Sequence, residues 1–148
     1  MNWTLKSFNE LSVAEFHDFI QLRLDIFVVE QDCVYQDLDG KDEIAHHFFA
    51  KTDEGQTVAY TRLFAPGDYY KEAAIGRVVV HKDFRKEGLG FELMSRSIKQ
   101  IESLYQTKNI KIGAQQYLKK FYESLGFVST GHDYMEDGIP HTHMVIRE

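Results

Sequence analysis

The stretch from Ala73 to Phe91, AAIGRVVVHKDFRKEGLGF, reads as a strand, a short basic turn and the start of a helix. Ala74–Val80 is apolar and β-branched apart from Arg77, a composition that suits a buried strand. Arg85-Lys86-Glu87-Gly88-Leu89-Gly90 follows, and its two glycines let backbone approach a ligand closely. Free N–H groups at a helix start, beside Arg85 and Lys86, make an anion site. Two other phosphate loops do not fit: the chain has no GxxxxGK[ST], and no GxGxxG opens a helix.

Upstream of this stretch, Trp3–Phe8 alternates as a strand. Ser12 is placed to cap a helix, with Glu15 completing a capping box and Leu11 and Phe16 forming a staple. Phe16, Ile20, Leu24 and Phe27 recur at helical spacing, so that helix runs to about Val29. Residues 45–51 and 57–65 are β-rich and joined by the turn residues Asp53-Glu54-Gly55-Gln56. Downstream, Met94, Ile98, Ile101 and Leu104 mark an amphipathic helix over roughly residues 89–106. Asn109–Ala114 alternates as a strand, and Gln115–Leu125 is helical, stopped by Gly126. Phe127–Ser129 reads as a short strand, residues 137–140 as a turn and His141–Arg147 as the last strand. The order is β-α-β-β-β-α-β-α-β-β, which predicts an α/β fold with a mixed sheet flanked by helices.

A chain of 148 residues predicts one domain over residues 1–148. A net charge of −6 argues against non-specific nucleic-acid binding and favours cationic small molecules. One cysteine, Cys33, cannot form an internal disulfide, and MNWTLKSFNE has no apolar core of signal-peptide length. The expectation is a cytoplasmic protein with no membrane span, because no apolar run approaches 18 residues. The acidic stretch Glu30–Glu43 has three readings: a solvated loop, a patch attracting an amine, or a divalent-cation site. The calcium-loop pattern is not met, since Gly40 follows the second acidic position and not the third.

Arg-x-x-Gly-x-Gly after such a strand resembles the acyl-CoA pyrophosphate loop of the GNAT (Gcn5-related N-acetyltransferase) superfamily. YLKKFYESLGF, residues 117–127, resembles that family's helix ending in Tyr-x-x-x-Gly-Phe. The element order matches across essentially the whole chain. FVVEQDCVYQDLDGKDEIAH and EDGIPHTHM resemble the family's ElaA-type subgroup, whose acceptor is not securely assigned.

The resemblance implies an enzyme that transfers an acetyl group from acetyl-CoA to an amine of a small molecule or peptide. Backbone amides of Arg85, Lys86, Glu87, Gly88, Leu89 and Gly90 would grip the pyrophosphate. Val78, Val79 and Val80 would pair with the pantetheine arm as an added strand, in a gap where the fourth and fifth strands splay apart. Gln115 stands where many members carry an Asn that contacts this arm. Tyr122 matches the tyrosine that protonates the CoA sulfur, and a phenol with a pKa near ~10 keeps its proton at neutral pH. The base that takes the amine proton is open among Glu30, His81, His141, His143 and an ordered water, with His141 favoured among the side chains by its place in EDGIPH. Members often dimerise through sheet edges or the C-terminal strands, so a homodimer is one expectation. Two rivals are a GNAT-fold module that binds acyl-CoA without transfer, and a metal protein using His46, His47, His141 and His143. The last spacing matches no zinc pattern, and no metal is expected. Arg62 and Arg77 sit at odd places for cations: Arg62 either faces solvent or binds an acidic group of the acceptor.

Overall fold

The computed structural model describes residues 1–148. The chain runs β1 (Asn2–Ser7), α1 (Val13–Leu24), β2 (His46–Lys51), β3 (Thr57–Phe64), β4 (Ala73–Val80), α2 (Leu89–Tyr105), β5 (Ile110–Gln115), α3 (Lys119–Glu123), β6 (Val128–Glu136) and β7 (Ile139–Ile146). This is the expected order of elements. The strands form one sheet in the order β1-β2-β3-β4-β5-β7-β6. Each neighbouring pair is antiparallel except β4–β5, which is parallel and joined through α2. The result is the mixed α/β sheet with flanking helices that the sequence predicts. No helix is long and apolar enough to cross a membrane.

Alternation along the strands decides which helix covers which face. Ile110, Ile112 and Ala114 of β5 point with Phe48 and Leu63 toward Leu93, Met94 and Ile101 of α2 and Tyr122 of α3. Phe49, Tyr60 and Val79 point the other way, against Phe19, Leu22 and Ile26 of the first helical segment. The Ser12 cap forms as expected: Ser12 Oγ accepts from the Glu15 amide at 3.0 Å, and Glu15 accepts from the Ser12 amide at 2.9 Å.

His47 is fully buried on the α1 face. It donates from Nε2 to the Asp42 carbonyl at 2.9 Å and accepts at Nδ1 from the Tyr60 hydroxyl at 2.6 Å, which suits only the neutral ring. Burial pulls its pKa down to about 4. An unfolded histidine takes its proton near ~6.5, so between these values the unfolded chain binds more protons and stability falls as pH drops. His143, also pushed down by burial, acts in the same direction. Unfolding free energy should fall by about 1.5 kcal/mol between pH 6.5 and pH 5 from His47. Denaturant melts at the two pH values check this. His47→Gln should lose most of the slope, and a wild-type protein with equal stability at both would refute it.

Four local expectations need correction. Helix α1 does not continue regularly to Val29: residues Asp25–Glu30 form a π-helical turn, with the Gln31 amide bonded to the Ile26 carbonyl. Its buried stripe is Phe19, Leu22, Arg23 and Ile26, with Phe16, Ile20 and Phe27 only partly covered. The third helix is shorter than Gln115–Leu125, because residues 116–118 form a 3₁₀ turn before Lys119. The strand expected over Phe127–Ser129 extends from Val128 to Glu136. It is an exposed sheet edge whose register shifts between Ser129 and Asp133, and so it lacks an apolar alternation to read.

Candidate active site

The site begins with a fault in β4. Arg62 of β3 pairs with Gly76 and Tyr60 with Val79, so two residues, Arg77 and Val78, stand opposite Thr61. Arg77 takes φ +49°, a left-handed conformation that costs a residue with a Cβ about 1–2 kcal/mol. On the other side, β4 pairs with β5 only at Ala73–Ile110 and Ala74–Lys111. Beyond Ala74 the two strands diverge and a cavity of ≈ 580 Å³ opens between residues 75–80 and Ile112–Gln115. That volume lies in the range of small-molecule sites.

The turn after β4 forms the rim. Lys86 and Gly88 both adopt left-handed backbone, φ +70° and +78°. This curls the chain so that α2 starts at Leu89 with no side chain capping it. The amides of Lys86 to Phe91 have no hydrogen-bond partner within the protein, and the first N–H engaged is that of Glu92, to Gly88 O. Successive free amides at a helix start are a ready anion site. Gly90, Val78 and Val80 line the cavity beside them. Leu89 buries its side chain in the core, while Lys86, Glu87 and Gly88 are exposed outside the cavity wall. Arg85 lines the wall but is engaged: Nε donates to the Val80 carbonyl at 3.2 Å, and the guanidinium makes a bidentate pair with Glu30 at 3.0 and 2.8 Å.

Tyr122 and His141 reach the same cavity from opposite faces of the sheet. Tyr122 belongs to the core on the α2 side, is 5% exposed, and its hydroxyl has no protein hydrogen-bond partner. Burial, with Tyr117 nearby, pushes its pKa further up, so the proton stays on the phenol. His141 pairs with Gln115 across β5–β7, on the face where Gln115 exchanges hydrogen bonds with Gln31 at 3.3 Å. His141 is 6% exposed, and Nδ1 donates to the Ile139 carbonyl at 2.7 Å. That bond fixes the tautomer and leaves Nε2 as the nitrogen able to take a proton, 3.4 Å from the Glu136 carboxylate.

The other proposed bases are placed differently. Glu30 lines the cavity but is tied to Arg85. His81 lies off the cavity and accepts from the Asp83 amide at 3.1 Å. His143 also lies off it, stacked on His132 and packed against Tyr70 and Tyr134. His46 is bonded to Tyr105 at 2.9 Å and His47 is sealed in the core, so the four histidines weighed for a metal do not converge. No group of three or more His, Cys, Asp or Glu is arranged to hold a metal ion.

The acidic stretch is not a solvated loop. Asp37 and Asp42 are 2% and 5% exposed. Fully buried Arg23 bonds Asp37 at 2.9 Å and Asp42 at 2.8 Å. Arg62 clamps Asp39 at 2.8 and 2.9 Å and reaches Asp42 at 3.1 Å. Arg77 meets Asp37 Oδ1 at 2.9 Å, the Asp37 carbonyl at 3.0 Å and Asp39 at 3.5 Å. Burial raises the cost of these carboxylates' charge, but the arginines outweigh it and hold Asp39 and Asp42 below the usual carboxylate range. Three arginines and three aspartates therefore balance, which accounts for Arg62 and Arg77 as structural cations. Sequence reasoning missed this assembly and Arg23 altogether, although a lone arginine in the apolar stripe of α1 was its signal.

Comparison with known proteins bears on this geometry. A family model described as an acetyltransferase (GNAT) domain matches residues 5–148. Protein ElaA of Escherichia coli is 40% identical over 97% of this chain and 95% of its own length. Its crystal structure superposes with a TM-score of 0.90 at 38% identity, covering 99% of both chains. An acyl-CoA N-acyltransferase from Pseudomonas aeruginosa superposes with a TM-score of 0.92 at 39% identity, also over 99% of both. A UPF0039 protein of Synechocystis is 37% identical over 99% of this chain and 96% of that one.

Proposed function

Because the chain belongs to the GNAT acetyltransferase family, we propose that it moves an acetyl group from acetyl-CoA to an amine nitrogen by direct attack. The observation that carries this reading is the wedge between β4 and β5, with an unpartnered phenol entering from one face and a tautomer-fixed imidazole from the other. The free amides of residues 86–91 suit a pyrophosphate. The diverging edge of β4 at Val78–Val80 suits an extended arm that pairs as a strand, and a backbone N–H there would polarise the thioester carbonyl. Gln115 would contact that arm after giving up its bond to Gln31.

In this scheme the amine lies on the α1 side. His141 Nε2 takes one proton from the ammonium ion, and the neutral nitrogen forms a bond to the acetyl carbon. The carbon–sulfur bond breaks, the thiolate receives the proton of Tyr122, and the second proton shed by the acylated nitrogen restores the Tyr122 phenol through solvent. Glu136 and Asp137 line that side and neither pairs with a lysine or arginine, which favours an acceptor that arrives as an ammonium ion. The decisive experiment is calorimetric titration of the protein with acetyl-CoA and with free CoA, followed by thiol release over a panel of amines. Micromolar binding of both ligands and amine-dependent release of free thiol are expected. Failure of both ligands to bind would overturn the reading, and binding without release for any amine would favour a carrier-binding module.

A further inference from the structure

We infer that Arg77 is a positioning residue: gripped by Asp37 and Asp39 of the acidic stretch, it holds the left-handed turn that aims Val78–Val80 along the cleft. The inference rests on the proposal that residues 78–80 line the path of the acyl-CoA arm.

Three observations converge. First, the conformational fault is localised. Within the helices and strands, Arg77 is the one residue with a Cβ at positive φ, and it sits at the bulge where two residues of β4 oppose Thr61. Second, the fault lies where the cleft opens, three residues past the last β4–β5 pair at Ala74–Lys111. Third, the side chain at the fault is held by contacts from outside the sheet. Its guanidinium meets both the carboxylate and the main-chain carbonyl of Asp37, touches Asp39, and lies 5.5 Å above the Tyr35 ring. Tyr35 in turn donates to Asp37 Oδ1 at 2.6 Å. Asp37 is itself fixed by Arg23. The acidic stretch thus forms a mould around Arg77, and the mould stabilises a backbone conformation that a side chain disfavours.

An inserted residue in a strand re-aims those after it. Here it turns Val79 into the α1-side core while Val78 and Val80 face α2 and the cavity. Without the fault, β4 would continue in register, and its backbone would present different groups to the wedge. The rival role is direct contact: Arg77 lines the cavity and could offer its charge to a substrate.

Arg77→Gly and Arg77→Ala separate the two. Both delete the guanidinium and every contact to Asp37 and Asp39, but only glycine adopts φ near +49° freely. Well below the unfolding temperature of each protein, Arg77→Ala should weaken CoA binding about tenfold and Arg77→Gly by less than about threefold. Amide resonances of Val78–Val80 should move in Arg77→Ala and return close to wild type in Arg77→Gly. Equal weakening by both variants would overturn the inference in favour of direct contact by the charge. Unmoved resonances in Arg77→Ala would overturn it too, and that readout holds even for a protein that binds no CoA. A failure of wild type to bind CoA would instead count against the proposed function.

Discussion

Tyr122→Phe is expected to lower turnover by about 10²–10⁴-fold, the usual contribution of a general acid, while leaving the dissociation constant for acetyl-CoA within about twofold. The split follows from where the atoms are. The Tyr122 ring is packed against Phe121 and Phe127, so phenylalanine keeps the shape of the core. The hydroxyl bonds to nothing in the protein, so its removal leaves no partner stranded and costs little stability. What is lost is the buried phenol proton that Tyr122 brings to the cavity from the α2 side. Steady-state kinetics together with calorimetry reads both numbers. Turnover equal to wild type would remove Tyr122 from the mechanism and return it to the apolar stripe of α3. A rise in the dissociation constant matching the fall in kcat would make it a binding group.

Gly88→Val is expected to weaken CoA binding by about 100-fold, with the cause in backbone shape and not in crowding. A Cβ at Gly88 would meet no atom within 4 Å, but φ +78° is an outlier for a β-branched residue. The turn must re-form, and the free amides of residues 86–91 lose their common aim. Gly90 gives the contrast. Its backbone is ordinary, and a Cβ there would sit 3.7 Å from Phe121 and 3.9 Å from Val80, so Gly90→Ala should stay within about threefold. The two glycines of the motif therefore serve different ends: Gly88 supplies a conformation, and Gly90 leaves room for larger groups beside Val80. Wild-type affinity in Gly88→Val would show that the grip on the carrier lies elsewhere.

The order of elements was legible because the periodicities were clean. Ser12 with Glu15, the Met94–Ile101 stripe and the alternation of Asn109–Ala114 each state one local preference, and the fold obeys them. The candidate residues were legible where a motif fixed them, and Val78–Val80, Arg85, Gly90, Gln115, Tyr122 and His141 all line one cavity. What stayed hidden depends on pairing across long separations. Arg23 meets Asp37 and Asp42 only after α1 has docked, so the acidic stretch reads as solvated when taken alone. The left-handed turns at Arg77 and Lys86 occupy residue types that carry no such preference, and neighbours impose them. Strand β6 escaped because an edge exposed on both faces has no inside to mark. His81 and His143 show the converse: the right residue type, near the right strand, but outside the cavity wall.

The β4–β5 junction has a mechanical consequence. The sheet is two leaves, β1 to β4 and β5-β7-β6, stitched by two register pairs at one end and gaping at the other. A strand-like guest in the gape breaks no rung of the ladder to enter, because beyond Ala74 the leaves share none. The Val80 carbonyl is one group there already engaged, by the movable side chain of Arg85. For the acyl-CoA arm proposed above, docking would then be a continuation of folding: the guest would complete a sheet the polypeptide leaves half closed, and its departure would reopen the seam without unravelling either leaf.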